Sequence, residues 1–136
     1  MSEYDKQAQD FITEHSLKIR LTFLGEQINK WDDQNYRPKY KVTITRKGGI
    51  GKKLTFTFWD SIANYEKGKE PSAYSILTCL SSDLNTPSTF EDFCSEFGYS
   101  DDSIKAKAIF RLCLKQTTKI RNFFTITELG ELSSIQ

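Results

Sequence analysis

A single histidine, His15, stands in the 136 residues, and the three cysteines, Cys79, Cys94 and Cys113, are an odd number with no close pair. So few of these residues leave no His-Cys metal cluster, and the sequence also lacks an EF-hand loop and a nucleophile elbow. The cysteines offer neither a disulfide framework nor a zinc clamp. Each lies among apolar residues of an expected helix and reads as a small buried thiol in a reducing compartment. His15 falls at an expected helix-to-strand junction, where a lone histidine is more often a capping or exposed residue than a base or a ligand. No apolar run approaches the ~18 residues that span a bilayer, and Met1-Ser2-Glu3-Tyr4-Asp5 lacks the basic start and apolar stretch of a secretion signal, so the expectation is a cytoplasmic protein with no membrane partner. A net charge of +1 does not point to a partner by itself. The residues thus point away from an enzyme, and no cofactor or metal site is expected.

Aromatic residues are plentiful, with ten Phe, six Tyr and two Trp, enough to build the core of one domain spanning residues 1–136. Residues 1–15 read as a helix, with Ala8, Phe11 and Ile12 at helical spacing. Residues 16–59 read as an antiparallel meander. Leu17, Ile19, Leu21 and Phe23 alternate with Lys18, Arg20 and Thr22; Tyr40, Val42 and Ile44 alternate with Lys41, Thr43 and Thr45; Leu54, Phe56 and Phe58 alternate with Thr55, Thr57 and Trp59. The stretch from Gly25 to Pro38, with Trp31, Asp32 and Asp33, reads as a polar connection with room for some strand at its edges. Residues 60–136 read as a helical part: a short helix or turn over Asp60 to Lys67, and a helix from Pro71-Ser72 that stops at Ser81-Ser82-Asp83. A further helix opens on the capping box Ser88-Thr89-Phe90-Glu91 and ends at Gly98. A long helix follows Ser100 with Asp101 and Asp102 in its first turn and a stripe of Ala108, Ile109, Leu112, Cys113, Gln116 and Ile120; a last helix opens on Thr125-Ile126-Thr127-Glu128. The expected class is α+β, a three-stranded antiparallel sheet packed against a C-terminal helical cluster.

Lys47-Gly48-Gly49-Ile50-Gly51-Lys52-Lys53 resembles a phosphate-binding glycine loop. Such a loop needs a Ser or Thr to hold Mg²⁺, where this chain has Lys53, and it must open a helix, where this chain continues into alternating strand residues. A glycine-containing hairpin turn, basic at its tip, fits better.

Charge is segregated along the chain. From His15 to Lys53 ten basic residues face three acids; from Glu70 to Ile104 there are seven acids and no base; from Lys105 to Arg121 there are six bases and no acid. The outward face of the sheet interleaves cations with threonines and Trp59, the pattern of a surface that stacks bases and tracks phosphates, and also the ordinary dress of a solvent-facing sheet. The candidate binding residues are Lys18, Arg20, Lys41, Arg46, Lys47, Lys52, Lys53 and Trp59. The acidic stretch from Asp83 to Asp102 is a second surface, suited to the basic face of a nucleic-acid enzyme.

The runs FTFWDSI, PSAYSILTCL and TFEDFCSEFGYSDDSIKA, with the ending FFT-x-x-EL, resemble small proteins encoded by phages, prophages and other mobile elements. The resemblance spans roughly Leu54 to Gln136. Some small phage proteins of this kind are anti-CRISPR inhibitors, and the resemblance implies a non-enzymatic inhibitor in the cytoplasm of an infected or lysogenic bacterial host. Its implied partner is a Cas effector nuclease of the Cas9 type; the alternative is a nucleic-acid-binding accessory protein that uses the basic sheet face.

Overall fold

A computed structural model describes residues 2–28, 36–48 and 52–135. Trp31, Asp32, Asp33, Gly49, Ile50 and Gly51 lie outside the described residues, so the polar connection and the glycine turn are described only at their ends.

The fold is α+β. Ser2 caps α1 (Glu3–Glu14) by accepting the Asp5 N–H at 3.1 Å, and Ala8 and Phe11 point into the core. His15 closes the helix, and Ser16, at φ +54°, turns the chain into the sheet. Strands β1 (Leu17–Ile28), β2 (Tyr36–Arg46) and β3 (Lys53–Trp59) pair antiparallel in the order β1-β2-β3. The first two run past the alternating residues into the edges of the connection, where the sequence leaves room for strand. The register shifts between Phe23 and Glu26, where Gly25 at φ +90° takes up a bulge that lets the β1-β2 pairing continue into residues read as connection.

One sheet face is apolar. Leu17, Val42, Ile44, Leu54, Phe56 and Phe58 meet α1 and the helices of the second half in the main core. The second half holds α2 (Ile62–Glu66), α3 (Ala73–Leu84), α4 (Phe90–Phe97), α5 (Ile104–Phe123) and α6 (Ile126–Ser134), of which α3, α5 and α6 enter this core. A satellite core of Phe93, Ile109, Phe110 and Cys113 fastens α4 to α5. All three cysteines are free thiols.

Four expectations for the helices change. The α3 helix runs through Ser81-Ser82-Asp83 to Leu84, because Ser81 is buried on its core side and side chains satisfy its last carbonyls: Thr117 donates to Asp83 O at 2.6 Å and Asn85 to Ser81 O at 3.0 Å. The cap of α4 is Thr89, not Ser88, accepting from the Asp92 N–H at 3.2 Å. The cap of α5 is Ser103, so Asp101 and Asp102 precede the helix, and the Ser100 hydroxyl donates to Asp102. The buried stripe of α5 is Ala106, Ile109, Phe110, Cys113, Ile120 and Phe123, which leaves Leu112 54 % exposed and Ala108 outside. Gly98, in the left-handed region at φ +74°, ends α4, and a reciprocal capping box at Thr125 and Glu128 opens α6, both as read from sequence.

Candidate nucleic-acid interface

The pairing register fixes what the open sheet face presents. Side chains directly across a ladder share a face, so the outer face is a set of rows: Lys18-Thr45-Lys53, Arg20-Thr43-Thr55, Thr22-Lys41-Thr57, and Lys39 beside Trp59. Helix α5 packs along β3, the edge strand. Because its apolar stripe is committed to the core, Lys115, Gln116 and Lys119 fall on the flank beside the outer face of the sheet.

The result is a groove. One cavity of about 470 Å³ is lined by Lys52, Lys53, Leu54 and Thr55 from the sheet side and by Lys119, Asn122 and Phe123 from α5. A second, of about 370 Å³, continues it, sharing Thr55 and Lys119 and adding Lys41, Thr57 and Trp59 opposite Leu112, Lys115 and Gln116. Among the described residues, five lysines, Lys41, Lys52, Lys53, Lys115 and Lys119, line the two cavities against one acid, Asp83. Walls of low dielectric on both sides strengthen the field between them, so an anion entering the groove meets a concentrated positive potential.

The floor carries hydrogen-bond donors without partners. The Trp59 indole Nε1 and the Gln116 amide Nε2 are buried and have no partner among the described residues. A buried donor left unmatched costs about 1–3 kcal/mol, and an acceptor on a ligand or a water relieves that cost. The Lys39 ammonium sits 5.0 Å from the Trp59 ring centroid, covering one face of the indole. Trp59 is therefore a half-buried floor residue and not the open stacking platform expected from the sequence.

The other expected residues divide. Lys41, Lys52, Lys53 and Trp59 converge on the groove. Lys18 and Arg20 are exposed on the same face but on β1, two strands from α5, and Lys47 is exposed just past β2 with its N–H bonded to Ser16 O at 2.9 Å. Arg46 belongs elsewhere. It shares the face of Tyr40, Val42 and Ile44 and turns toward the helices, where Nη1 and Nη2 donate to the Glu128 carboxylate at 2.7 and 2.6 Å and Nη2 also donates to Phe123 O at 3.1 Å. Its guanidinium lies 4.9 Å from the Phe123 ring centroid. The Arg46 hydrogen bonds are the largest cause holding Glu128 at about 2, down from an ordinary 4.5, against the opposing effect of burial. Arg46 is a structural clamp between sheet and α6. Lys115, Lys119 and Gln116 join the groove without a local signal that places them there: the charge of the two lysines is visible in the basic run from Lys105 to Arg121, but the direction of all three depends on which stripe of α5 is buried.

No family model, curated protein or solved structure matches the chain. The functional reading rests on the groove. Among the described residues no helix is long and apolar enough to cross a membrane.

Proposed function

We propose that the protein binds the phosphate backbone of a nucleic acid in the groove between the outer sheet face and α5. The observation that carries this reading is the convergence of Lys41, Lys52 and Lys53, from two adjoining strands and the turn between them, with Lys115 and Lys119, from a helix much later in the sequence, on one continuous concave surface with a single acid among the described residues. Solvated lysines on an ordinary sheet do not require a second wall of lysines facing them. The hydroxyls of Thr55 and Thr57 supply hydrogen bonds to phosphate or sugar oxygens.

Anisotropy of a labelled single-stranded oligonucleotide checks the site. Reversing Lys115 and Lys119 together to Glu is expected to weaken binding by about tenfold or more, since each lost backbone contact removes counterion release. Lys18→Glu with Arg20→Glu, the same change in charge on the same face but outside the groove, is expected to have a clearly smaller effect. Equal losses from both variants would show a diffuse electrostatic effect and overturn the assignment to the groove.

A second reading is an inhibitor that docks on a nucleic-acid-handling effector, a Cas9-type nuclease among them. It is favoured by the exposed acids Glu91, Asp92, Glu96, Asp101 and Asp102, which stand in a stretch without a base. Such a face complements a basic cleft in sign. Co-purification with effectors and a cleavage assay test it: a stoichiometric complex lost on neutralising Glu91, Asp92 and Glu96 supports it, and no complex or inhibition across effectors discards it.

A further inference from the structure

Away from the groove, the junction of α1 and α6 gathers groups that the sequence holds 116 residues apart: His15 Nε2 lies 2.7 Å from Glu131 Oε2. Ligand atoms of Glu14, His15 and Glu131 all fall within 4.8 Å of one another. The other ring nitrogen, Nδ1, is 3.1 Å from Glu128 Oε2. Glu128 is itself immobilised by Arg46 at 2.6 and 2.7 Å and by the Thr125 N–H at 2.8 Å. The His15 ring is further fixed edge-on against Phe11, with centroids 4.8 Å apart.

We propose that Glu14, His15 and Glu131 form a binding site for a divalent transition-metal ion, Zn²⁺ being the one suited to a nitrogen and two carboxylates. A metal-ligating histidine characteristically donates its second ring N–H to a carboxylate, which sets the tautomer and aims the free nitrogen at the ion. Glu128 takes that role here. With Nδ1–H donating to Glu128, Nε2 faces Glu131 across a 2.7 Å hydrogen bond whose proton is released when the ion takes its place. Zinc held at about 2.0–2.2 Å by nitrogen and oxygen in tetrahedral geometry puts its ligands about 3.3–3.6 Å apart, so Glu131 has to withdraw by roughly 0.6–0.9 Å. Its side chain is 37 % exposed and has room to move. A cavity of about 330 Å³, lined by Asp10, Glu14 and Glu131 among others, opens beside the site and leaves space for a water in the fourth position. An ion there ties the N-terminal helix to the C-terminal one, and this role does not depend on the nucleic-acid reading.

Calorimetric titration of the full chain with Zn²⁺, paired with Co²⁺ absorption spectra, tests the site. One ion per chain is expected, with cobalt bands of a nitrogen–oxygen site and no thiolate-to-metal charge transfer. His15→Gln and Glu131→Gln are each expected to weaken Zn²⁺ binding at least tenfold, while Cys79→Ser leaves it unchanged. Glu131 is at the surface, so Glu131→Gln keeps the fold and decides the matter even if His15→Gln does not. Absence of binding, binding indifferent to Glu131→Gln, or a thiolate band removed by Cys79→Ser would overturn the proposal.

Discussion

Arg46 shows how a single residue changes meaning with the face it occupies. Its charge and its place near a basic turn suggest a binding residue, yet the parity of β2, in which Tyr40, Val42 and Ile44 are buried, assigns Arg46 to the helical side. That parity was legible in the sequence. The partner was not, because Glu128 lies 82 residues away and reads locally as half of a capping box. Glu128 is 5 % exposed, so removing its charge strands a guanidinium against the core. Glu128→Gln is expected to destabilise the protein by about 3 kcal/mol in chemical denaturation. The sign with pH follows. Glu128 titrates at about 2 in the folded chain against an ordinary 4.5, so its contribution is full above 4.5 and is lost as pH falls from there toward 2. Thermal melts across that window are expected to show a fall in stability that is smaller in Glu128→Gln; parallel losses in both proteins would contradict the clamp.

At the scale of elements, the strands and the existence of most helices follow from periodicity, because Thr and Lys alternate with apolar residues through residues 17–23, 40–45 and 54–58. Local chemistry also places some ends. The αL residue Gly98 closes α4 as expected, and an added Cβ there meets nothing within 4 Å, so Gly98→Ala is expected to cost only the conformational strain of a positive φ, about 1 kcal/mol in a denaturant titration. A cost near zero would show that the turn relaxes. Where the sequence misleads, tertiary partners overrule local signals. Ser81-Ser82-Asp83 looks like a helix stop, but Thr117 on α5 accepts the role of capping group and α3 continues. The bulge at Gly25 likewise extends β1 beyond its alternating stretch, since Gly tolerates the φ the bulge demands. In α5, two apolar stripes compete. Satellite packing of Ile109 and Phe110 against Phe93 selects the one that leaves Leu112, Lys115 and Lys119 beside the sheet.

Over the whole molecule, the charge blocks of the sequence become surfaces. The basic run of the meander and the basic run of α5 form opposite walls of one groove, while the acids between them cover α4 and its flanks. The first wall was legible from residues 41–59. The second was not, since it exists only once the sheet edge and α5 are packed together. Five groove lysines set a scale for the salt response of nucleic-acid binding. If all five contact phosphates of a single strand, log K against log salt concentration falls with a slope of about −3.5, and Lys115→Glu with Lys119→Glu reduces its magnitude by about 1.4 or more. Anisotropy titrations of a single-stranded oligonucleotide over a range of salt concentrations measure both quantities. Binding in the groove gives a steep slope that flattens in the double variant; a shallow slope in the native chain, or one that the two α5 substitutions leave unchanged, would contradict it.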